Sequence, residues 1–276
     1  MKDILVHVDD TPAGAVRVEL ALELAAAHSA YLTGLHVEPD SNVPAGTALD
    51  HLESALRLSK STNATIARRS REMFRGSTAK TAVPHRWLSA TGDVAQIIAS
   101  HSRYSDLVIV GQYESQGDPV HHPLPVCHRI ALKAGRPILV LPDSTRNRAS
   151  FSRLLIAWDG SPQSVRAVHD SLPFLTRASS VKVLVVQPES EHLPQDVVKP
   201  DWLSQHLLNH GVIIGAWQVS DRRERVAKSI YRVISGEAFD LLVMGAYSRP
   251  DWFQFILGGT TQTLLLTSPI PLLISH

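Results

Sequence analysis

The stretch Arg153-Leu154-Leu155-Ile156-Ala157-Trp158-Asp159-Gly160-Ser161-Pro162 decides the fold. Its first six residues form a short apolar run with the length of a buried strand. Asp159 and Gly160 then make a turn, Ser161 offers an N-cap hydroxyl, and Pro162 suits the first helical position, whose N–H has no intrahelical partner. Val165, Val168 and Leu172 continue at helical spacing, so the stretch reads as strand, turn, helix. Residues 2–8 followed by Asp9-Asp10-Thr11-Pro12 repeat this grammar at the start of the chain, which makes Asp9 and Asp159 equivalent positions. The far ends repeat as well: Asp106-Leu-Val-Ile-Val-Gly111 matches Asp240-Leu-Leu-Val-Met-Gly245, and Pro137-Ile-Leu-Val-Leu matches Pro271-Leu-Leu-Ile-Ser. Chance seldom aligns both ends, so the chain is two copies of one unit.

Between these ends lie two β-rich runs, Ala30–Pro39 and Val181–Pro188, and a third strand candidate in each half, near His85–Leu88 and Val212–Val219. In the second half a helix follows with Val226, Ile230, Val233 and Ile234 on one apolar stripe, which must cover a sheet. The expected order is β-α-β-α-β-α-β-α-β, twice. Apolar strands alternating with amphipathic helices give an α/β fold, with two open parallel-sheet domains of five strands each. Pro173 predicts a kink or an early end in the first helix of the second half. The polar stretch Asp143–Ser152 reads as the linker, which divides the chain into domains at 1–145 and 151–276. The short apolar final strands, Pro137–Leu141 and Pro271–Ser275, are expected to meet in an intramolecular pseudodimer. A further homodimer is compatible with this arrangement, but no residue pattern requires it.

Composition limits the function classes. The 276 residues carry 27 Lys plus Arg against 26 Asp plus Glu, which leaves no positive excess to neutralise a nucleic-acid backbone. Cys127 is the only cysteine, so no intrachain disulfide exists, and the expected compartment is the cytoplasm. The N-terminus has no signal-like apolar segment, and nowhere do about 18 apolar residues run together to span a bilayer.

In an open parallel sheet, ligands bind beyond the carboxyl ends of the strands, where the strand order reverses. The loop after the fourth strand of the second half runs from Gly245 through Ser248 to Gly258-Gly259-Thr260-Thr261, where a helix begins. Glycines at a helix entry let backbone N–H groups approach an anion, the helix N-terminus adds its dipole, and the threonines can donate hydroxyls. The same residues also describe a structural Gly-Gly turn with a threonine N-cap.

Ala157-Trp158-Asp159-Gly160-Ser161, Leu242-Val243-Met244-Gly245-Ala246-Tyr247 and Leu257-Gly258-Gly259-Thr260-Thr261 make the whole chain resemble a tandem universal stress protein. That resemblance implies a Rossmann-like fold of the adenine nucleotide alpha hydrolase type. It also implies a glycine motif, G-x2-G-x9-G-[S/T], that binds ATP or another adenine nucleotide. Gly245 takes the first glycine of that motif and Gly258 the third. Ser248 stands where the second glycine belongs, and Gly259 occupies the hydroxyl position, with Thr260 and Thr261 directly after it. The family's aspartate at the adenosine end maps to Asp159, and a backbone contact to adenine maps to Val186. In the first half the motif is lost, since Gly111 is followed by Glu114, Gly117 and Asp118 and no Gly-Gly-Thr-Thr precedes the last helix. One nucleotide site per chain is therefore expected, in the C-terminal domain, with Mg²⁺ arriving only as the nucleotide's counter-ion.

Other chemistries lack support. No Gly-x-Gly, Gly-Lys or His-Glu dipeptide pattern is present, which removes the Rossmann fingerprint, the Walker A loop and the HExxH zinc helix. His121, His122, Cys127 and His128 cluster without a zinc spacing and read as a polar loop, with no metal expected. Cys127 reads as a small buried residue. Trp252, Phe253, Phe255, Ile256 and Leu257 form an apolar block that either packs the loop on the adjoining domain or offers a lid or partner surface. No Mg²⁺-binding carboxylate pair, base or arginine finger is organised around the glycine loop, so catalysis is not expected beyond very slow ATP hydrolysis. Two functions follow from the resemblance: a stress-response protein that binds an adenine nucleotide as a regulatory ligand, or an interaction scaffold of the same fold that binds no nucleotide or another small molecule.

Overall fold

A computed structural model describes residues 1–40, 49–112, 126–143, 145, 151–186, 200–220, 224–246 and 259–276. The expected alternation is present in both repeats. The first comprises β1 (Asp3–His7), α1 (Pro12–His28), β2 (Tyr31–Glu38), α2 (Leu49–Thr78), β3 (His85–Thr91), α3 (Val94–Ser102), β4 (Leu107–Gly111), α4 (Val126–Lys133) and β5 (Ile138–Leu141). The second comprises β6 (Arg153–Trp158), α5 (Pro162–Leu175), β7 (Ser180–Val185), α6 (Pro200–Asn209), β8 (Ala216–Val219), α7 (Val226–Gly236), β9 (Leu241–Gly245), α8 (Thr260–Thr267) and β10 (Leu272–Ser275).

The predicted caps form. Thr11 accepts from the Gly14 amide and Ser161 from the Ser164 amide, each in extended backbone just before a proline. Pro173 brings an early end: α5 stops two residues later and runs for 14 residues, against 17 in α1. The α7 stripe turns inward, with Ile230, Val233 and Ile234 buried.

By their contacts the residues fall into two compact units, Met1–Ala134 and Gly135–His276. In the first, the strand order is β3-β2-β1-β4 and every pairing is parallel. In the second, the order is β5-β10-β9-β6-β7-β8, and the pairings are parallel except for β5 with β10. The final strands of the two repeats therefore meet as expected, antiparallel, with Leu272 opposite Val140 and Ile274 opposite Ile138. The sequence repeat and the compact unit differ by that strand, and the sheet is mixed. Both strands are apolar on both faces and fully buried, so neither could stand as a solvated edge.

The residues that lead into β6 are anchored. Phe151 is buried edge-on against Phe174 at 5.6 Å between ring centroids, and the Asp240 carboxylate accepts from the Ser152 and Arg153 amides at 2.8 and 2.9 Å. Among the described residues no helix is long and apolar enough to cross a membrane.

Candidate functional site

In the second unit the strand order reverses beside β6: the chain leaves β6 for β7 on one side and returns as β9 on the other. The crevice beyond the carboxyl ends of β6 and β9 is the place such a sheet offers a ligand. Register brings the expected residues there together. Trp158 lies opposite Val185 and Ala157 opposite Met244, so Asp159, Val186 and Gly245 emerge at one end of three adjacent strands. The Val186 amide donates to the Trp158 carbonyl at 2.8 Å, which extends the β6–β7 ladder one residue past the strands.

Asp159 is held by its own turn. Its Oδ1 accepts from the Ser161 amide at 3.0 Å and from the Ser161 hydroxyl at 2.6 Å, while Gly160 takes the left-handed backbone with φ 74° that the turn needs. No other hydrogen bond or ion pair engages the carboxylate, so Oδ2 stays an uncommitted acceptor among the described residues.

Gly245 closes the crevice floor. A Cβ there would stand 2.6 Å from the Gln163 carbonyl carbon and the Ser164 nitrogen, so the first turn of α5 rides directly on the end of β9. One residue on, the Ala246 amide donates to the Ser275 carbonyl at 2.8 Å, and the His276 ring Nδ1 lies 3.0 Å from the Ala246 carbonyl.

Because β9 and β10 are parallel, α8 between them starts at this same end. Gly259 is its cap residue, with φ −59° and no side-chain cap hydrogen bond. Any residue adopts that backbone, so glycine is not required here for a special conformation. Thr260 is half-buried in the first turn, whereas Thr261 is buried. Ser248, Gly258 and the Trp252–Leu257 block lie outside the described residues.

The first unit presents the equivalent crevice with its aspartate already neutralised. Arg17, only 3% exposed, donates from its terminal nitrogen to Asp9 Oδ2 at 2.5 Å and from Nε to the His7 carbonyl at 2.8 Å. Burial by itself raises the Asp9 carboxyl, but Arg17, the Thr11 hydroxyl and amide and nearby His7 outweigh it and bring the group below its usual value. Thr11 donates its amide and hydroxyl to Oδ1, as Ser161 does in the second unit. Gly14 makes room for this packing: a Cβ there would fall 2.1 Å from Asp9 Oδ1. The second unit has Ser164 and Ala167 at the positions of Gly14 and Arg17.

The sequence made Asp9 the equivalent of Asp159 in a half without the glycine motif, but gave no notice of Arg17. The available signal was a lone cation among Val16, Val18, Ala21 and Leu22, on a helix otherwise poor in charge.

The helix entry differs too. Val126 starts α4 where Thr260 starts α8, Cys127 is buried with its Sγ donating to the Gln112 carbonyl at 3.5 Å, and Arg129 pairs with Asp93 at 2.5 Å. His128 is fully buried, and burial lowers its pKa to about 4. His121 and His122 lie outside the described residues, and among the described ones no three His, Cys, Asp or Glu side chains converge as a metal-holding group.

Residues 150–276 match the model of the universal stress protein family. That segment is a universal stress protein domain. A search of curated proteins found no match. Among solved structures the chain is similar to a universal stress protein from Archaeoglobus fulgidus DSM 4304, at 12% identity and TM-score 0.70, over 99% of this chain and 96% of that one. It is also similar to a putative universal stress protein from Pseudomonas aeruginosa UCBPP-PA14, at 16% identity and TM-score 0.61, over 100% of this chain and 93% of that one. A Pseudomonas aeruginosa PAO1 protein of unknown function follows, at 15% identity and TM-score 0.62, over 100% and 92%. These likenesses concern the fold and run through both repeats, whereas the family match covers only the universal stress protein domain.

Proposed function

We propose that the universal stress protein domain binds an adenine nucleotide, ATP among them, as a regulatory ligand, and that the chain is a cytoplasmic stress-response protein rather than an enzyme. The observation that carries this reading is the row of Asp159, Val186 and Gly245 across three strand ends, with the first turn of α8 at the same end. The donor and acceptor types suit such a ligand. Asp159 Oδ2 is an acceptor for ribose hydroxyls, the Gly245 backbone admits close approach, and the amides entering α8 carry the partial positive charge that phosphates seek. By the resemblance to the family motif, Ser248, Gly258 and Gly259 are the further residues of the phosphate-binding stretch, and Mg²⁺ enters with the nucleotide.

Nucleotide occupancy then acts by changing shape or partner choice. Calorimetric titration of the full chain with ATP should find one site, and mass spectrometry of small molecules retained by natively purified protein should find an adenine nucleotide. Two sites per chain would refute the asymmetry. No heat at millimolar ATP would leave the non-nucleotide scaffold as the better reading.

A further inference from the structure

Gln163 is the second residue of α5, between the turn that holds Asp159 and the glycine that ends β9. Its Cβ lies 2.9 Å from where a Gly245 Cβ would stand, so the side chain leaves the helix at the junction of β6 and β9. Its Oε1 is buried and has no hydrogen-bond partner among the described residues. A buried acceptor without a donor forfeits its hydration for nothing, and native chains keep few such groups.

The other repeat supplies a comparison. At the positions of Gln163 and Ala167 the first unit has Ala13 and Arg17. There the aspartate is satisfied by a guanidinium, and an alanine takes the place of the glutamine. In the second unit both changes run the other way: the cation is gone, Asp159 Oδ2 is uncommitted among the described residues, and a glutamine stands four residues on, in the first turn of α5. Two acceptors without donors among the described residues, one on the turn after β6 and one in the helical turn that follows it, call for a ligand that brings hydrogens. Phosphate oxygens carry almost none at neutral pH, whereas a ribose and an amino-substituted base both do.

We infer that Gln163 is a specificity-determining residue of this site, accepting a hydrogen bond from the nucleoside part of the ligand, a ribose hydroxyl or a base amine. The inference rests on the nucleotide reading above and adds to it which part of the ligand the site discriminates.

The test is calorimetric titration of the full chain, as wild type and as Gln163→Met, with ATP, 2′-deoxy-ATP, inosine triphosphate and inorganic triphosphate. Wild type should prefer ATP over whichever analogue lacks the donor: 2′-deoxy-ATP if it is the hydroxyl, inosine triphosphate if it is the amine. Gln163→Met should lose roughly three- to tenfold in ATP affinity, the range of one neutral hydrogen bond. It should bind that analogue as well as ATP and keep wild-type affinity for triphosphate. Removing an unsatisfied buried acceptor should also raise the melting temperature of the unliganded protein, so the variant reports even where binding is weak.

ATP affinity unchanged by Gln163→Met, or ATP and triphosphate weakened alike, would overturn the inference and leave the nucleotide reading standing. A lowered melting temperature would show that the amide is already satisfied in the free protein and would also overturn it. If wild type binds no ATP, the nucleotide reading fails first and the role of Gln163 falls with it.

Discussion

Alanine in place of Asp9 and alanine in place of Asp159 are the same substitution at equivalent positions, yet the structure assigns them different consequences. Asp9→Ala leaves the guanidinium of Arg17, 3% exposed, without its carboxylate. Breaking a buried pair from one side costs about 3–5 kcal/mol, because the remaining charge cannot recover its hydration. Asp159→Ala strands no cation and removes only the Ser161 contacts to Oδ1, a partly exposed turn worth about 1 kcal/mol. Differential scanning calorimetry of the full chain should therefore show a much larger loss for Asp9→Ala, on the order of 10 °C at the 2–4 °C per kcal/mol typical of domains this size. The double substitution Asp9→Ala with Arg17→Met should recover much of that loss, since neither charge is then left buried alone. Binding should run the other way: Asp159→Ala should weaken ATP by the ~1.5–3 kcal/mol of a hydrogen bond to a charged group, while Asp9→Ala leaves the affinity nearly unchanged. Equal thermal losses for the two single variants, or no recovery in the double variant, would refute the reasoning.

Gly245→Ala should lower stability by about 1–3 kcal/mol, because its Cβ would press on the α5 backbone at 2.6 Å; denaturant titration measures this, and a neutral result would mean that α5 yields freely. His128 has an ordinary value of 6.5 and a folded value of about 4. Between those values the unfolded chain binds a proton that the folded chain refuses, so stability is full above pH 6.5 and falls as pH drops toward 4, by about 3 kcal/mol in all. A His128→Leu variant should lose that part of the slope in denaturant titrations from pH 7 to 4. ATP turnover should lie far below the 1–100 s⁻¹ typical of kinases, and a phosphate-release assay showing such a rate, lost in Asp159→Ala, would contradict this.

The element order was legible because each strand and helix states itself locally, through an apolar run, a hydroxyl cap and a proline. Asp159, Val186 and Gly245 were legible as a group for the same reason, since equivalent ends of neighbouring strands must lie together once the sheet is parallel. What escaped the sequence depends on contacts between distant segments. A cation on a helix usually faces water, so nothing local announced that Arg17 turns inward onto Asp9. Nothing in the sequence marked Gln163, which only its buried, unpartnered oxygen singles out among the described residues. The pairing of β5 with β10 was legible, because both final strands are short and apolar, whereas nothing local says that β5 belongs to the compact unit of the second repeat rather than to its own.

That neighbour bears on what a cut in the chain would do. A protease cleaving between Thr145 and Phe151 would sever the two repeats covalently, yet the upstream fragment would still end in β5, lodged beside β10 in the sheet of the downstream one. The nicked protein should elute as a single species under native conditions and separate only in denaturant. Each half made alone would carry a bare apolar strand, Ile138–Leu141 in one and Leu272–Ser275 in the other, and would be prone to pair with copies of itself. A strand written into the first repeat thus belongs to the fold of the second.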